Sequence, residues 1–271
     1  MSVAIEFCEP AYATSVYIAE FWNTISSAAY CLVAFVFVRD LYILRKIVPG
    51  AFGNKFIVKA LALSAAVFTV GVGSGLLHAT QTWWGEAVDE AGMVLASLAY
   101  LFCLKDLHPL TSGRKRFWFY TSVGLIVSIA VGVYLKIFLH GIFATLFGCL
   151  IALIAVLFST SPVSTKNTKF FRNIQVQSNY RKSIKIGIFF ALIGFGAWIL
   201  DQSCVKNKWG NHKHLSLLFW CHPIWHLSTA TCAYIFLKLL LQAKIDIATN
   251  PFARTKSGSF VPKKNSLQAA S

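Results

Sequence analysis

The stretch His222-Pro223-Ile224-Trp225-His226 lies within a long apolar run, residues 215–237, and this run decides the fold. About 20 predominantly apolar residues are enough for a helix to cross a bilayer. On that helix the two histidines are four residues apart, so they project from one face and can bind one metal ion together. Titratable groups at membrane depth are rare and usually functional. The pair alone leaves a second interpretation open, in which both histidines lie at the water interface and hydrogen-bond to neighbouring carbonyls.

The composition predicts an integral membrane protein. The chain has 271 residues, of which 56% are hydrophobic and only 13% charged, whereas a soluble domain carries about 25% charged residues. Its charge-poor windows are long and rich in Leu, Ile, Phe, Ala and Gly, which indicates helices and not the alternating strands of a barrel. We therefore predict an all-α fold, an integral membrane bundle of seven transmembrane helices. The predicted spans are 21–38, 60–77, 91–104, 117–135, 141–158, 186–200 and 215–237.

The basic residues predict the orientation of the bundle. Most of the 25 Lys and Arg residues fall in three alternate loops and in the segment that follows the last span. By the positive-inside rule the C-terminus is cytosolic and the N-terminus faces the lumen or the outside. The net charge of +15 thus reflects orientation and contact with membrane lipids, and we expect no nucleic-acid partner. The sequence also gives no indication of an obligate protein partner.

The chain divides into three parts on this interpretation. Residues 1–20 form a non-cytosolic segment without Lys or Arg, and without the features of a cleavable signal peptide. Residues 21–241 form the seven-helix domain. Residues 242–271 are rich in Ser, Lys and Asn and are expected to form a disordered cytosolic tail.

The N-terminal segment holds three carboxylates, Glu6, Glu9 and Glu20, with no basic partner. Such groups repel one another unless solvent or a cation lies among them, and oxygen ligands of this kind suit calcium. Their spacing is not that of an EF-hand loop. On composition alone a solvated acidic segment is therefore the favoured interpretation, with calcium binding as the alternative.

Further His and carboxylate residues are predicted at the depth of the histidine pair. Ser74 and His78 share a face at the end of the second span, and Asp89 lies between Glu86 and Glu90 where the third span begins. All of them fall at the non-cytosolic ends of their helices. Because metal sites need such groups close together, their common depth predicts a metal centre. The seven cysteines form no CxxC pair, which disfavours a thiolate zinc site.

Two cysteines, Cys8 and Cys204, are expected on the non-cytosolic side and outside the spans. Disulfides form in oxidising compartments. A bridge between them would join the N-terminal segment to the end of the sixth span. Cys221 is the less favoured alternative partner.

Several short elements occur in one order, namely Glu6-Phe7-Cys8-Glu9, residues 17–23, Gly73-Ser74 with His78, Asp89-Glu90 and residues 222–226. This set resembles the alkaline ceramidases, which are seven-span membrane hydrolases of the superfamily that includes the progestin and adiponectin receptors. The resemblance implies that His78, His222 and His226 bind zinc. It implies that Asp89 holds or deprotonates a water at the metal, and that Ser74 stabilises the oxyanion.

The resemblance also implies a calcium site and a reaction. The calcium ligands would be Glu6, Glu9, Glu20 and the backbone carbonyl of Phe7, which reverses the preference for a solvated segment. Ala11 stands where the family has an oxygen-bearing side chain, so one ligand is missing. The implied function is zinc-dependent hydrolysis of ceramide or phytoceramide to a sphingoid base and a fatty acid. The implied location is the membrane of the endoplasmic reticulum or Golgi, with the N-terminus lumenal.

Three rival functions are weighed against this one. A zinc-containing receptor of the same superfamily would bind a lipid without turnover. A haem carrier is disfavoured, because axial ligands approach haem from opposite faces whereas His222 and His226 share one face. A proton-coupled transporter is weaker still, since the cytosolic halves of the spans lack the carboxylates of a through-path.

Overall fold

The computed structural model describes residues 6–105, 174–206 and 218–249, with a few isolated residues between 122 and 154. These regions are almost entirely helical, which confirms the all-α prediction for them. The five helices named here are α1 (Phe21–Ile47), α2 (Asn54–Thr80), α3 (Trp83–Lys105), α4 (Ile174–Lys206) and α5 (Cys221–Thr249). All five contain stretches long and apolar enough to cross a membrane. The predicted spans at 117–135 and 141–158 lie largely outside the described residues, so the count of seven stays a prediction.

The helices are longer than the charge-poor windows that predict them. The first continues to Ile47, past residue 38, and the last continues to Thr249, past the domain boundary at 241. A window without charged residues marks only the part of a helix that lies in the hydrocarbon layer. The helix can continue past this layer, because the stems of Lys and Arg side chains lie along it while their charged ends reach water.

The first turn of α3 corrects a detail of the sequence interpretation. The charge-poor window predicts this span only from residue 91, yet Trp83 and Trp84 already lie inside the helix. The cause is Thr82, whose hydroxyl accepts the backbone N–H of Gly85 and whose carbonyl accepts that of Glu86. A threonine in this position caps a helix, so the helix can start well before the charge-poor window does.

The order of the helices in space differs from their order in the chain. α2 packs against both α1 and α3, α1 also packs against α5, and α5 packs against α4. α1 therefore lies between α2 and α5. A hydrogen bond of 3.2 Å from the Tyr100 hydroxyl to the Phe236 carbonyl joins α3 to α5.

The apolar core occupies one end of this bundle, formed by the ends of α1 and α3, the beginning of α2 and the C-terminal half of α5. Its fully buried side chains include Phe37, Leu63, Leu104 and Leu240. At the opposite end, α1, α3 and α5 begin while α2 and α4 finish. Each predicted polar site residue of the helices lies at this second end.

Two glycines bring α2 and α3 into close contact there. A Cβ atom at Gly73 would lie 2.6 Å from the backbone nitrogen of Asp89, and one at Gly85 would lie 2.6 Å from the backbone of Leu77. Both approaches are too close for any side chain, and small residues permit such helix packing. The contact at Gly73 places the start of α3, with Asp89, beside the turn of α2 that carries Ser74.

Candidate metal centre

Three buried histidines meet at the polar end of the bundle. His78 lies in the last turn of α2, while His222 and His226 occupy the first two turns of α5. Their nearest ligand nitrogens all lie within 4.8 Å of one another, close enough to hold one metal ion. Among the described residues, this is the one group of three or more His, Cys, Asp or Glu side chains whose ligand atoms come this close together. The predicted clustering of the three histidines is thus present in the fold.

Local sequence explains why α5 can begin beside this cluster. Pro223 lies in the first turn of the helix, where the backbone nitrogen needs no intrahelical partner, so proline causes no loss of a hydrogen bond. His222 and His226 then stand one turn apart on the face that contacts α1 and α2. Their ring centroids are 4.6 Å apart.

His78 is oriented by Glu20, the residue that precedes α1. The His78 Nδ1 and Glu20 Oε2 atoms are 2.5 Å apart. Glu20 also accepts hydrogen bonds from the side chains of Asn23 and Gln81, at 3.0 and 2.8 Å. The other ring nitrogen of His78, Nε2, is buried and has no hydrogen-bond partner among the described residues. When Nδ1–H donates to Glu20, Nε2 of His78 carries a lone pair that is available to bind a metal ion.

The backbone reinforces this arrangement. The N–H groups of Ala19 and Glu20 donate to the carbonyls of Ala79 and His78, at 3.0 and 2.9 Å. The last carbonyls of a helix have no intrahelical partner, so the N-terminal segment satisfies groups that α2 leaves open. Glu20 is held next to His78 by backbone as well as by side chain.

His226 is surrounded by serine hydroxyls. Its Nδ1 lies 2.8 Å from the Ser26 hydroxyl of α1, and its Nε2 lies 3.3 Å from the Ser74 hydroxyl of α2. Ser27 in turn lies 3.1 Å from Ser74. When the Ser26 hydroxyl accepts a hydrogen bond from Nδ1–H, Nε2 carries the lone pair, which is the tautomer that a metal ligand requires. Ser74 stands beside that nitrogen, and its predicted position next to a metal stays a prediction.

His222 faces a carboxylate from a different helix. Asp201, one turn from the end of α4, is completely buried, and its Oδ2 lies 3.4 Å from the Nδ1 of His222. That separation is too long for a well-formed hydrogen bond, and Nδ1 has no other partner in the described part of the chain. The Oδ1 of Asp201 accepts the backbone N–H of Cys8 at 3.1 Å.

The N-terminal segment covers the histidines. The aromatic ring of Phe7 contacts the rings of His78 and His222, with centroid distances of 4.6 and 4.3 Å. The next residue, Cys8, forms the disulfide with Cys204 of α4 that the sequence led us to expect, with a Cα–Cα distance of 5.7 Å. Phe7 is thus fixed over the cluster by a covalent bond one residue away.

Comparison with known proteins identifies the family of the chain. The protein-family model described as Ceramidase matches residues 1–256. The chain belongs to the ceramidase family. It is 24% identical over 261 residues to an alkaline ceramidase of Saccharomyces cerevisiae, covering 89% of this chain and 76% of the yeast protein. It is 20% identical over 250 residues to alkaline ceramidase 3 of Mus musculus, covering 89% and 83% of the two chains.

The family membership confirms the resemblance drawn from the short motifs. It also makes this ceramidase an enzyme of the hydrolase class, and it does not favour the alternative of a receptor without turnover. The long apolar helices agree with a membrane protein.

The predicted catalytic carboxylate, Asp89, is buried in the second turn of α3, and Glu86 and Glu90 of the same helix are buried as well. Its backbone contacts Gly73, the neighbour of Ser74. The fold thus brings Asp89 to the helix turn that borders the histidines. Its part in the reaction stays a prediction.

The predicted calcium residues are only partly brought together. The two oxygens of Glu9 accept the backbone N–H groups of Trp22 and Asn23, at 2.8 and 2.9 Å, so Glu9 caps the start of α1. Glu20 is bound to His78 as described above, and Glu6 is exposed. Burial raises the pKa of Glu9 and raises that of Glu20 to about 7, although hydrogen bonds lower both.

Sequence reasoning missed three site residues of this ceramidase, namely Ser26, Ser27 and Asp201. Asp201 carried the clearest indication, because it is a carboxylate at the end of an otherwise apolar run. An ionisable residue in that position is usually satisfied by a partner. The serines carried none, since Ser is common in transmembrane helices and no spacing relates residue 26 to residue 226.

Proposed function

We propose that this protein hydrolyses the amide bond of ceramide with one zinc ion held by His78, His222 and His226. The observation that carries the proposal is the convergence of three buried imidazoles within ligand distance of one another, in a chain that belongs to the ceramidase family. Three histidine nitrogens with a fourth, open position are typical of catalytic zinc.

The donor set fits zinc on its own chemistry. All three donors are imidazole nitrogens, and the Nε2 of His78 is buried without a hydrogen-bond partner among the described residues. Burial of such a nitrogen is energetically unfavourable unless it has a partner, and a metal ion would supply one. Glu20 and Ser26 lie on the opposite ring nitrogens, where outer partners of metal-bound histidines are usually found.

Each polar residue then has a distinct task in amide hydrolysis. A zinc ion bound there would supply a Lewis acid that polarises the amide carbonyl and activates water. Asp89 accepts the proton that the attacking water releases, and it later returns that proton to the departing amine. The Ser74 hydroxyl donates to the oxygen that becomes negatively charged during attack. Phe7 excludes bulk water from one side of the cluster.

The membrane setting suits a lipid substrate. Ceramide or phytoceramide keeps both chains among the apolar helices while its amide reaches the polar end of the bundle. The products are a sphingoid base and a free fatty acid. We propose that this end faces the lumen of the endoplasmic reticulum or Golgi, with residues 1–20 lumenal and residues 242–271 in the cytosol, because the positive-inside rule supports that orientation.

The test is hydrolysis by purified protein in detergent. We expect release of fatty acid from a panel of ceramides, about one zinc per chain, loss of both metal and activity with a chelator, and recovery on adding zinc. Turnover that persists in fully zinc-free protein would contradict the zinc assignment. Binding of ceramide without any turnover, by zinc-loaded protein, would instead support the receptor.

Calcium binding by Glu6, Glu9, Glu20 and the Phe7 carbonyl is proposed separately, on the family resemblance and on the acidic sequence. In the described geometry Glu9 and Glu20 accept hydrogen bonds from protein donors and Glu6 is exposed. The hydrolysis proposed above contains no step that uses calcium.

A calcium titration of activity at fixed zinc tests this site. Glu6→Ala is the informative variant, because Glu6 does not contact a histidine, whereas changing Glu20 would disturb His78 directly. We expect Glu6→Ala to need more calcium and Ala11→Asn to need less, since asparagine adds a side-chain oxygen. A parent activity that ignores calcium would return the segment to a purely structural role.

A further inference from the structure

Asp201 is the most completely buried carboxylate that the sequence interpretation left without a role. None of its surface is exposed. It lies on α4 and faces both α5 and the N-terminal segment, so its two oxygens are near different donors. Oδ1 accepts the N–H of Cys8 at 3.1 Å, and Oδ2 lies 3.2 Å from the Nε2 of Gln202 and 3.4 Å from the Nδ1 of His222.

The three histidines differ in how their Nδ1 atoms are satisfied. His78 has Glu20 at 2.5 Å and His226 has Ser26 at 2.8 Å. His222 alone of the three has a buried Nδ1 that lacks a hydrogen bond in the described chain. The nearest carboxylate oxygen stands at 3.4 Å, so a movement of about half an ångström would give a normal hydrogen-bond length.

We propose that Asp201 is the positioning residue of His222. In the metal-loaded protein its carboxylate accepts a hydrogen bond from Nδ1–H, which leaves the lone pair on Nε2 and fixes the plane of the ring. This inference rests on the proposed metal function, because orientation of the ring matters only if Nε2 binds an ion. The three ligands then share one design, in which Glu20, Ser26 and Asp201 each hold one Nδ1.

Asp201 is well suited to hold a ring in place because it is itself held. The Cys8 N–H fixes Oδ1, and the disulfide from Cys8 to Cys204 joins the same two segments less than one turn away. The His222 ring also contacts the aromatic ring of Phe7, with a centroid distance of 4.3 Å. The ring thus has an aromatic contact as well as the nearby carboxylate of Asp201.

The test compares Asp201→Asn and Asp201→Glu with the parent. Asparagine keeps the size of the side chain but offers one acceptor oxygen to donors on both sides, and its NH₂ group cannot accept. Glutamate keeps the carboxylate but makes the side chain one methylene group longer. If the carboxylate orients His222, Asp201→Asn should bind metal about 10- to 100-fold more weakly, and Asp201→Glu should retain more affinity than Asp201→Asn. If Asp201 only fills space, that order should be reversed.

Metal binding is measured by chelator competition with Zn²⁺ and by the visible absorption of the Co²⁺-loaded protein, which reports ligand geometry. We expect Asp201→Asn to change the Co²⁺ spectrum and ceramide turnover together. The matched control is Asp246→Asn, a carboxylate at the other end of α5 that accepts from Tyr180 and Gln242. It should bind Co²⁺ with the parent spectrum.

A second variant separates ring orientation from attachment of the N-terminal segment. Replacing Cys8 and Cys204 together by serine removes the covalent tie and leaves Asp201 in place. We expect a smaller loss of metal affinity than in Asp201→Asn. An equal loss, or an unchanged Co²⁺ spectrum in folded Asp201→Asn, would overturn the inference while leaving the zinc hydrolase intact. Parent protein that binds neither metal would overturn the proposed function and this inference with it.

Discussion

The two ends of the bundle bury side chains of opposite kinds. At one end Phe37, Leu63 and Leu240 are almost fully enclosed by other apolar groups. At the other end His78, Glu20 and Asp201 are enclosed to the same degree. Burial is therefore equal at the two ends, but its energetic consequence is not.

The difference lies in what each side chain needs from its neighbours. An apolar side chain gains from contact with any group of suitable shape, so its stabilisation is spread over many weak contacts. A buried polar side chain destabilises the fold unless one particular hydrogen-bond or metal partner is present. Substitutions at the apolar end should therefore leave function intact, whereas removal of a single polar atom at the other end should reduce function.

The largest effect is expected from removing a ligand at the polar end. His222→Ala leaves two histidines, too few for the proposed zinc site, so zinc content and ceramide hydrolysis should both fall to background. Metal analysis and a fatty-acid release assay measure this. Because the change also removes a buried group with an unpaired Nδ1, the variant should remain folded in detergent. Full zinc occupancy with activity would remove His222 from the site.

The next effect is expected at Asp89. Asp89→Asn keeps the size of the side chain but cannot accept a proton, so turnover should fall by about 10²- to 10⁴-fold. Zinc content should stay at the parent value, which separates this variant from the loss of a ligand. Parental turnover would move proton transfer elsewhere, and Glu86→Gln and Glu90→Gln would then be measured next.

A smaller effect is expected at Ser26. Ser26→Ala removes the acceptor of the His226 Nδ1 proton, so the ring loses its orienting partner. Partners of this kind typically contribute about tenfold or more to metal affinity or activity. Ser27 lies 3.5 Å from the same nitrogen and can replace part of the loss. Zinc competition should place Ser26→Ala between the parent and His222→Ala, and an unchanged affinity would assign Ser26 to packing alone.

The smallest effect on catalysis is expected at the apolar end. Leu240→Ala opens a cavity in the core and should lower the free energy of unfolding by about 2 kcal/mol or more. Turnover per folded molecule and zinc content should equal those of the parent. Thermal unfolding in detergent, together with the same assays, measures both quantities. A loss of zinc here would show that the two ends are coupled through the helices.

The sequence predicted the site residues that can be recognised from their residue type and their predicted depth in the membrane. His222 and His226 share a helix face by their spacing alone, and His78 lies at the same depth by the topology. The helical class followed from the uncharged windows. Helix ends did not, because a cap such as Thr82 acts through a hydrogen bond that hydropathy does not register.

The rest depends on which helices are neighbours in space. Ser26 can meet His226 only because α1 lies between α2 and α5, and no pattern within one helix contains that information. The same holds for Asp201 and His222, which come from different helices. Glu9 and Glu20 were recognised as important by their type, yet the hydrogen bonds that they make to α1 and to His78 became visible only in the fold.

The disulfide between Cys8 and Cys204 has a consequence for biosynthesis. Its two cysteines are 196 residues apart, so α1, α2 and α3 have left the ribosome before the second thiol exists. Phe7 cannot be fastened over the histidines until Cys204 at the end of α4 has been synthesised, and α5 with His222 and His226 follows it in the chain. A growing chain therefore lacks both the covalent attachment of Phe7 and the complete histidine cluster until translation is nearly finished.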